Sequence, residues 1–189
     1  MSTPDVSVLI PVLNEEAHIR ETVAAMLAQQ LDGRTHELVF ADGRSEDRTK
    51  AILEELAQAD ERIVVVDNPA RTTAAGLNAA LRHARGRYVA RMDAHAYFPS
   101  RYLAAGIERL EHGDDVVWVA GPVVPRANGG LSPSVALALG SRLGVGGSSK
   151  WRMNDPAARA AEETELDTGV FAGVWRRETL DRLGGWDDG

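Results

Sequence analysis

The chain has 189 residues, 44% hydrophobic and 26% charged, the balance of one globular domain with an aliphatic core, neither disordered nor membrane-spanning. Its formal net charge of -7 argues against a general nucleic-acid binder, because phosphate backbones repel an acidic surface. The absence of cysteine excludes disulfides and any thiolate metal or nucleophile site, in keeping with a reducing compartment.

The opening MSTPDVSVLIPVLNEE has no basic stretch and only a short apolar run, so it does not read as a signal peptide. No window approaches the roughly 20 apolar residues that cross a bilayer, so membrane association is expected to be peripheral or carried by sequence outside this chain.

Apolar runs of strand length alternate with longer stretches of helical period, the pattern of a parallel α/β sheet. Residues 6–11 read as a strand buried on both faces and closed by Pro11. A helix is predicted over 15–30, with Ile19, Val23, Met26 and Leu27 on one face and Glu15 and Glu16 in its first turn. A second strand, 37–41, runs into Asp42-Gly43, followed by a helix over 45–59 that buries Ile52, Leu53 and Leu56 and is capped by Ser45 or Asp47. Strand 63–66 ends in Asp67-Asn68-Pro69, and a helix over 73–84 stops at Gly86 as its C-terminal cap. Strand 88–92 ends at Asp93, Pro99 opens a helix running to about Glu111, and 116–120 form another strand. Residues 127–149, rich in Gly and Ser with one apolar run at 135–139, read as a mobile or substrate-facing segment. A last strand is predicted within 168–175 and a short helix over 177–183, ended by Gly184-Gly185.

Asp42, Asp67 and Asp93 each follow a predicted strand, at the edge where open α/β sheets bind ligands. Asp67, beside Asn68-Pro69, is assigned to turn structure. In RMDAHA, Asp93 and His95 stand two apart on an extended segment and so face one side, where a single divalent cation can meet both.

Taken in order, VSVLIPVLNEE, ELVFADGRSEDRT, GLNAALRHARGRYVARMDAHA and GVFAGVWRRETLDRLGGWDD resemble the family 2 glycosyltransferases over essentially the whole chain. The MDAHAYFP segment resembles the succinoglycan-biosynthesis glucosyltransferase branch. The resemblance implies an α/β fold of the GT-A type, a Rossmann-like, mostly parallel sheet flanked by helices. It places a nucleotide-binding part at about residues 1–98 and an incomplete acceptor-side part at about 99–189. It further implies an inverting transfer of a sugar, glucose in this branch, from a UDP-sugar to a hydroxyl of a polysaccharide or lipid-linked oligosaccharide. The setting would be the cytoplasm, at the inner face of the plasma membrane.

Carried over residue by residue, the resemblance sets Pro11, Val12, Asn14 and Glu15 against the nucleoside and makes Asp42 the acceptor for the base, as a carboxylate suits the imide N–H of uracil. Arg71 and Asn78 match the region lining the diphosphate and ribose. Asp93 matches the first carboxylate of a D-x-D motif holding Mn or Mg, whose task is to neutralise charge on the leaving nucleotide diphosphate. His95 stands where a second Asp is usual, and its imidazole favours Mn over Mg.

In the family an E-D pair after GGWDD supplies the general base, whereas this chain stops at Gly189. The expectation is therefore a C-terminally truncated enzyme that binds its donor but transfers poorly. The acidic cluster Glu162, Glu163, Glu165 and Asp167 reads as a solvated face. Two alternatives stay open: a nucleotide-sugar-binding module without turnover and, more distantly, a sugar-phosphate nucleotidyltransferase. A nicotinamide-dependent oxidoreductase is excluded, since PVLNEE stands where a Gly-rich turn would follow the first strand.

Overall fold

The computed structural model describes residues 3–94, 96–113, 115–121 and 172–188. The chain divides into two units, Met1–Ala120 with Phe171–Gly189, and Gly121–Val170; every described residue except Gly121 belongs to the first. The predicted segment 127–149, His95 and the cluster Glu162 to Asp167 lie outside the described residues.

Among the described residues six strands form one sheet, in the order β3-β2-β1-β4-β6-β5. They are β1 (Val6–Val12), β2 (His36–Asp42), β3 (Ile63–Asp67), β4 (Tyr88–Arg91), β5 (Trp118–Val119) and β6 (Gly173–Arg176). The first four are mutually parallel, and β6 runs antiparallel to both β4 and β5. The register sets Val12 beside Asp42 and Asp42 beside Asp67, so three strands end level with one another.

Among the described residues five helices cover the sheet: α1 (Ile19–Leu27), α2 (Thr49–Ala59), α3 (Thr73–His83), α4 (Tyr102–Glu111) and α5 (Arg177–Leu183). Side chains alternate across each strand, so a central strand must be apolar on both faces. Val6, Val8 and Ile10 of β1 with Leu38 and Phe40 of β2 pack under α1, α2 and α4. Leu9, Val39 and Ala41 face the other way, under Leu77 and Ala80 of α3 and Leu180 of α5. All of these strand residues are fully buried. Each is worth about 1.5 to 3 kcal/mol where the side chain is of Val, Leu, Ile or Phe size.

The helices α1 and α2 begin later than predicted, at Ile19 and Thr49 in place of 15 and 45. Asn14 and Arg44 adopt left-handed backbone (φ 55 and 58), which no α-helix contains, and the hydrogen bonds of residues 14–16 run across to residues 45–49. Glu15 and Glu16 thus precede the helix whose first turn they were expected to occupy. The N-cap position of α2 falls on Arg48, which gives no side-chain cap, while Asp47 just before it accepts at Oδ1 from Thr49 N at 2.9 Å.

Gly86 serves differently from the helix cap expected of it. Helix α3 gives way to extended backbone at Ala84 (φ -64, ψ 139), and Gly86 lies where β1 approaches: a Cβ there would be 2.5 Å from Ser7 N. Thr72, whose hydroxyl accepts from Ala75 N, caps the other end of α3. The α5 prediction holds residue for residue, with Gly184 and Gly185 at φ 77 and 90 ending it.

Candidate functional site

The carboxyl ends of β1, β2, β3 and β4 carry most of the residues singled out from the sequence. Pro11 and Val12 are the last two residues of β1, opposite Ala41 and Asp42. The Val12 carbonyl accepts from Gly43 N at 2.8 Å, continuing the pairing of β1 and β2 one residue past the strand. Beyond it, two loops are laced together. The backbone N–H groups of Asn14, Glu15 and Glu16 donate to Ser45 Oγ (2.9 Å), Thr49 Oγ1 (2.7 Å) and Asp47 Oδ2 (3.1 Å). In return Asn14 Oδ1 accepts from Glu46 N at 2.8 Å, and Glu16 Oε2 from Arg48 N at 2.7 Å. The alternation of polar side chains at 45, 47 and 49 is the sequence signal for this lacing, within a segment whose apolar period predicts a helix from 45.

Asp42 is 1% exposed. Its Oδ2 accepts from Ser45 N at 3.1 Å, while Oδ1 is buried with no hydrogen-bond partner among the described residues. Buried carbonyl and carboxylate oxygens are nearly always paired, so an orphan acceptor at a ligand-binding edge marks a place for a donor N–H. Asn68, which follows β3, shares this condition. Its backbone N–H donates to the Asp42 carbonyl at 2.8 Å and its Nδ2 to the Thr72 carbonyl at 3.0 Å, leaving Oδ1 buried and unpartnered.

Asp67 is exposed at the end of β3 and pairs with Lys50 Nζ at 2.7 Å. The hydrogen bond from Lys50 holds its carboxyl below the usual range, and the same bond raises the Lys50 ammonium. Arg71, in left-handed backbone (φ 61), lies on the loop before α3 and reaches Glu46 at 3.4 Å. An exposed pair at that distance contributes little to stability and leaves the guanidinium available to an anion.

Asp93 follows β4 by two residues. Arg91 Nε lies 2.9 Å from its Oδ1 and Arg91 Nη2 3.4 Å from its Oδ2, with both side chains mostly buried. Sequence reasoning missed Arg91, although the R-x-D spacing on an extended segment puts both side chains on one side. Among the described residues no group of three or more His, Asp or Glu side chains is arranged to hold a metal ion. The Asp93 carboxylate is nevertheless a hard oxygen donor of the kind that Mg or Mn shares with a diphosphate, and to that extent the residue fits such an ion.

Asn78 faces elsewhere. Its Nδ2 donates to the Trp186 carbonyl at 2.8 Å and to Asp188 Oδ2 at 3.1 Å, and its Oδ1 accepts from Trp186 N at 2.9 Å. Both ends of the amide hold the segment after α5. A cavity of about 410 Å³, lined by Leu31, His36, Glu37, Arg62 and Arg85 among others, opens at the amino ends of β1 and β2, the opposite edge of the sheet from Asp42.

Residues 7–178 match the family model described as glycosyl transferase family 2. The chain belongs to that family. It is 37% identical over 144 residues to the succinoglycan biosynthesis protein ExoA of Rhizobium meliloti (strain 1021), covering 75% of this chain and 43% of that protein. It is 36% identical over 115 residues to an undecaprenyl-phosphate 4-deoxy-4-formamido-L-arabinose transferase of Pseudomonas aeruginosa (strain UCBPP-PA14), covering 59% of this chain and 34% of that protein. Among solved structures it is similar to the mannosyltransferase PcManGT from Pyrobaculum calidifontis in complex with GDP-Man and Mn2+. The TM-score there is 0.67 at 28% identity, over 98% of this chain and 48% of that one. The family 2 glycosyltransferase spans less than half the length of each of these proteins. Its sheet is of the GT-A type, as the resemblance implied. No helix among the described residues is long and apolar enough to cross a membrane.

Proposed function

We propose that this chain binds the nucleotide diphosphate of an activated sugar at the carboxyl edge of β1 to β4. In this reading it serves an inverting transfer of the sugar to a hydroxyl of a polysaccharide or lipid-linked saccharide. The observation that carries the reading is Asp42, a buried carboxylate with one oxygen fixed by Ser45 and the other left for a donor N–H. Uracil presents one such group at N3, so UDP is the nucleotide proposed and UDP-glucose the donor. The glucose assignment leans on ExoA, whose name ties it to succinoglycan biosynthesis. The lipid-linked acceptor leans on the undecaprenyl-phosphate transferase. The work would be done in the cytoplasm, at the inner face of the plasma membrane.

In this reading Pro11, Val12, Asn14 and Glu15 form the wall against the nucleoside, held by the lacing to residues 45–49. Arg71 offers its guanidinium to the diphosphate. Asp93, with His95 as a second ligand, holds Mn or Mg. When bound, that ion neutralises the charge that grows on the diphosphate as the glycosidic bond breaks. The acceptor oxygen attacks the anomeric carbon from the face opposite the diphosphate, the carbon–oxygen bond to phosphate breaks, and the hydroxyl proton passes to a general base. By resemblance that base belongs to an acidic pair following the GGWDD segment.

Calorimetric titration of the chain with UDP and GDP, each with and without Mn2+, tests the binding half. The expected result is saturable binding of UDP, tighter with Mn2+. Preference for GDP would correct the nucleotide, and no binding of either would overturn the reading. Release of nucleotide from UDP-glucose in the presence of a polyprenyl-phosphate saccharide tests the transfer half.

A further inference from the structure

The segment that follows α5 is held to α3 by one amide. The Asn78 side chain meets the Trp186 backbone in both directions, Trp186 N donating to Oδ1 at 2.9 Å and Nδ2 donating to the Trp186 carbonyl at 2.8 Å. Nδ2 also reaches Asp188 Oδ2 at 3.1 Å. This approach depends on residue 185 having no side chain. A Cβ on Gly185 would lie 2.4 Å from Asn78 Oδ1, and its φ of 90 is one that other residues rarely adopt. Gly185 N in turn donates to the Leu180 carbonyl at 3.0 Å, tying the turn to the end of α5.

The Trp186 ring completes the attachment. It meets Trp175 of β6 edge-on, with centroids 5.8 Å apart, and Trp175 stacks on Trp118 of β5 at 5.9 Å. Strand β6 runs against β4, so α5 starts at the amino edge of the sheet, where Arg177 N donates to the Arg87 carbonyl at 3.0 Å. From there the chain turns back to the middle of α3. Nothing in the donor wall needs this arrangement, yet Asn78 contributes both ends of its amide to it.

We infer that Asn78 is a positioning residue for the reaction. It acts through the Trp186 backbone to seat residues 185–188 on α3, and it makes no contact with the donor nucleotide. The inference rests on the sugar-transfer reading for its catalytic consequence, since a seated acidic segment beside the sheet would serve the acceptor side of the site. It departs from that reading's origin by removing Asn78 from the nucleotide.

The test compares wild type with Asn78→Ala, Asn78→Asp and Gly185→Ala in three measurements: near-ultraviolet circular dichroism of the tryptophans, UDP affinity by calorimetry, and turnover of UDP-glucose. Asn78→Ala should weaken the tryptophan signal and leave the UDP Kd and the donor KM within about twofold. It should lower kcat by about 10- to 100-fold, the cost of a reacting group displaced by about 1 Å. Gly185→Ala should reproduce all three results, because it breaks the same contact from the other side. Asn78→Asp, which keeps the acceptor for Trp186 N, should fall between wild type and Asn78→Ala and preserve a measurable protein if Asn78→Ala folds poorly.

A UDP Kd raised about tenfold or more with the tryptophan signal intact would make Asn78 a ligand contact and overturn the inference. So would a lost tryptophan signal with kcat unchanged, which would leave a tether without catalytic consequence. A wild type that releases no nucleotide from any donor would accord with the poor transfer expected of this chain and would separate the donor-binding reading from the transfer reading. The seating of Trp186 would then be decided by the spectrum and the UDP affinity.

Discussion

Ser45 donates its backbone N–H to one oxygen of Asp42 at 3.1 Å and leaves the other, fully buried, without a partner among the described residues. An acceptor in that condition costs the folded protein about 1 to 3 kcal/mol until something donates to it. Asp42→Ala should therefore weaken UDP binding by about 1 to 3 kcal/mol, the worth of a hydrogen bond to a charged group. The same substitution should leave the unfolding midpoint nearly unchanged, because the relief of the unsatisfied oxygen is offset by loss of the hydrogen bond from Ser45 N. Titration calorimetry beside thermal denaturation reads both. An unchanged UDP affinity would take Asp42 out of the site.

Arg91 occupies both oxygens of Asp93, so a cation at Asp93 competes with a guanidinium. Asp93→Ala should abolish the gain in UDP affinity on adding Mn2+. Arg91→Ala should move that gain to lower Mn2+ concentration, since the carboxylate is then free. Titrating Mn2+ at fixed UDP measures each. A Mn2+ response that survives Asp93→Ala would show that the ion is held elsewhere.

The sheet was legible because its strands are buried on both faces: Val6 to Ile10 and Leu38 to Ala41 have no polar interruption except Ser7, so their length and type followed from composition. The loops were less so. Residues 13–18 and 43–48 contain acceptable helix formers, and only tertiary bonds between the two loops, with left-handed Asn14 and Arg44, hold them out of the helices. Asp42 and Asp93 were placed correctly at strand ends, since a strand's end is a local property. What their carboxylates touch is not. Arg91 reads from sequence as a strand residue, and the partner of Asn78, Trp186, lies 108 positions away, beyond the reach of any local pattern.

His36 gives a pH dependence that does not involve the site. Burial, and then the neighbouring Arg62 charge, push its imidazole below the ordinary value of 6.5. In the unfolded chain the ring protonates as pH falls through about 6.5, while the folded protein keeps it neutral to lower pH. The unfolded state then binds more protons, so stability should fall as pH drops below about 6.5 and level off below the folded value. Replacing His36 by Phe should flatten this part of the profile. Urea midpoints at intervals between pH 7.5 and 5 would show it, and a wild-type profile flat over that range would remove His36 as the cause.

Glu37 is the most deeply buried charge described outside the carboxyl edge, 1% exposed at the start of β2. Its Oε1 accepts from Ser7 Oγ at 2.6 Å and Arg85 N at 2.8 Å, and its Oε2 from Arg85 Nε at 2.9 Å and Nη2 at 2.5 Å. Ser7 Oγ accepts in turn from Gly86 N at 2.8 Å, so one carboxylate organises the turn between α3 and β4 where β1 comes close. Breaking a buried pair from one side typically costs about 3 to 5 kcal/mol, because the remaining charge is stranded. Arg85 is partly exposed, so water can replace some of what it gives, and Arg85→Ala should fall at the lower end, about 3 kcal/mol. Glu37→Ala should not be milder, since it leaves the Ser7 hydroxyl and the Arg85 guanidinium without their acceptor, leaves the Arg85 N–H only its 3.1 Å bond to Ser7 Oγ, and opens a hole beneath the strand. Because this pair stands at the edge of the sheet opposite Asp42, UDP affinity measured well below the unfolding temperature should stay within about twofold in both variants. Urea denaturation gives the stability change and calorimetry the affinity. A loss of UDP binding in still-folded Arg85→Ala would mean that the two edges are coupled, and that the amino-edge cavity beside Arg85 communicates with the donor site.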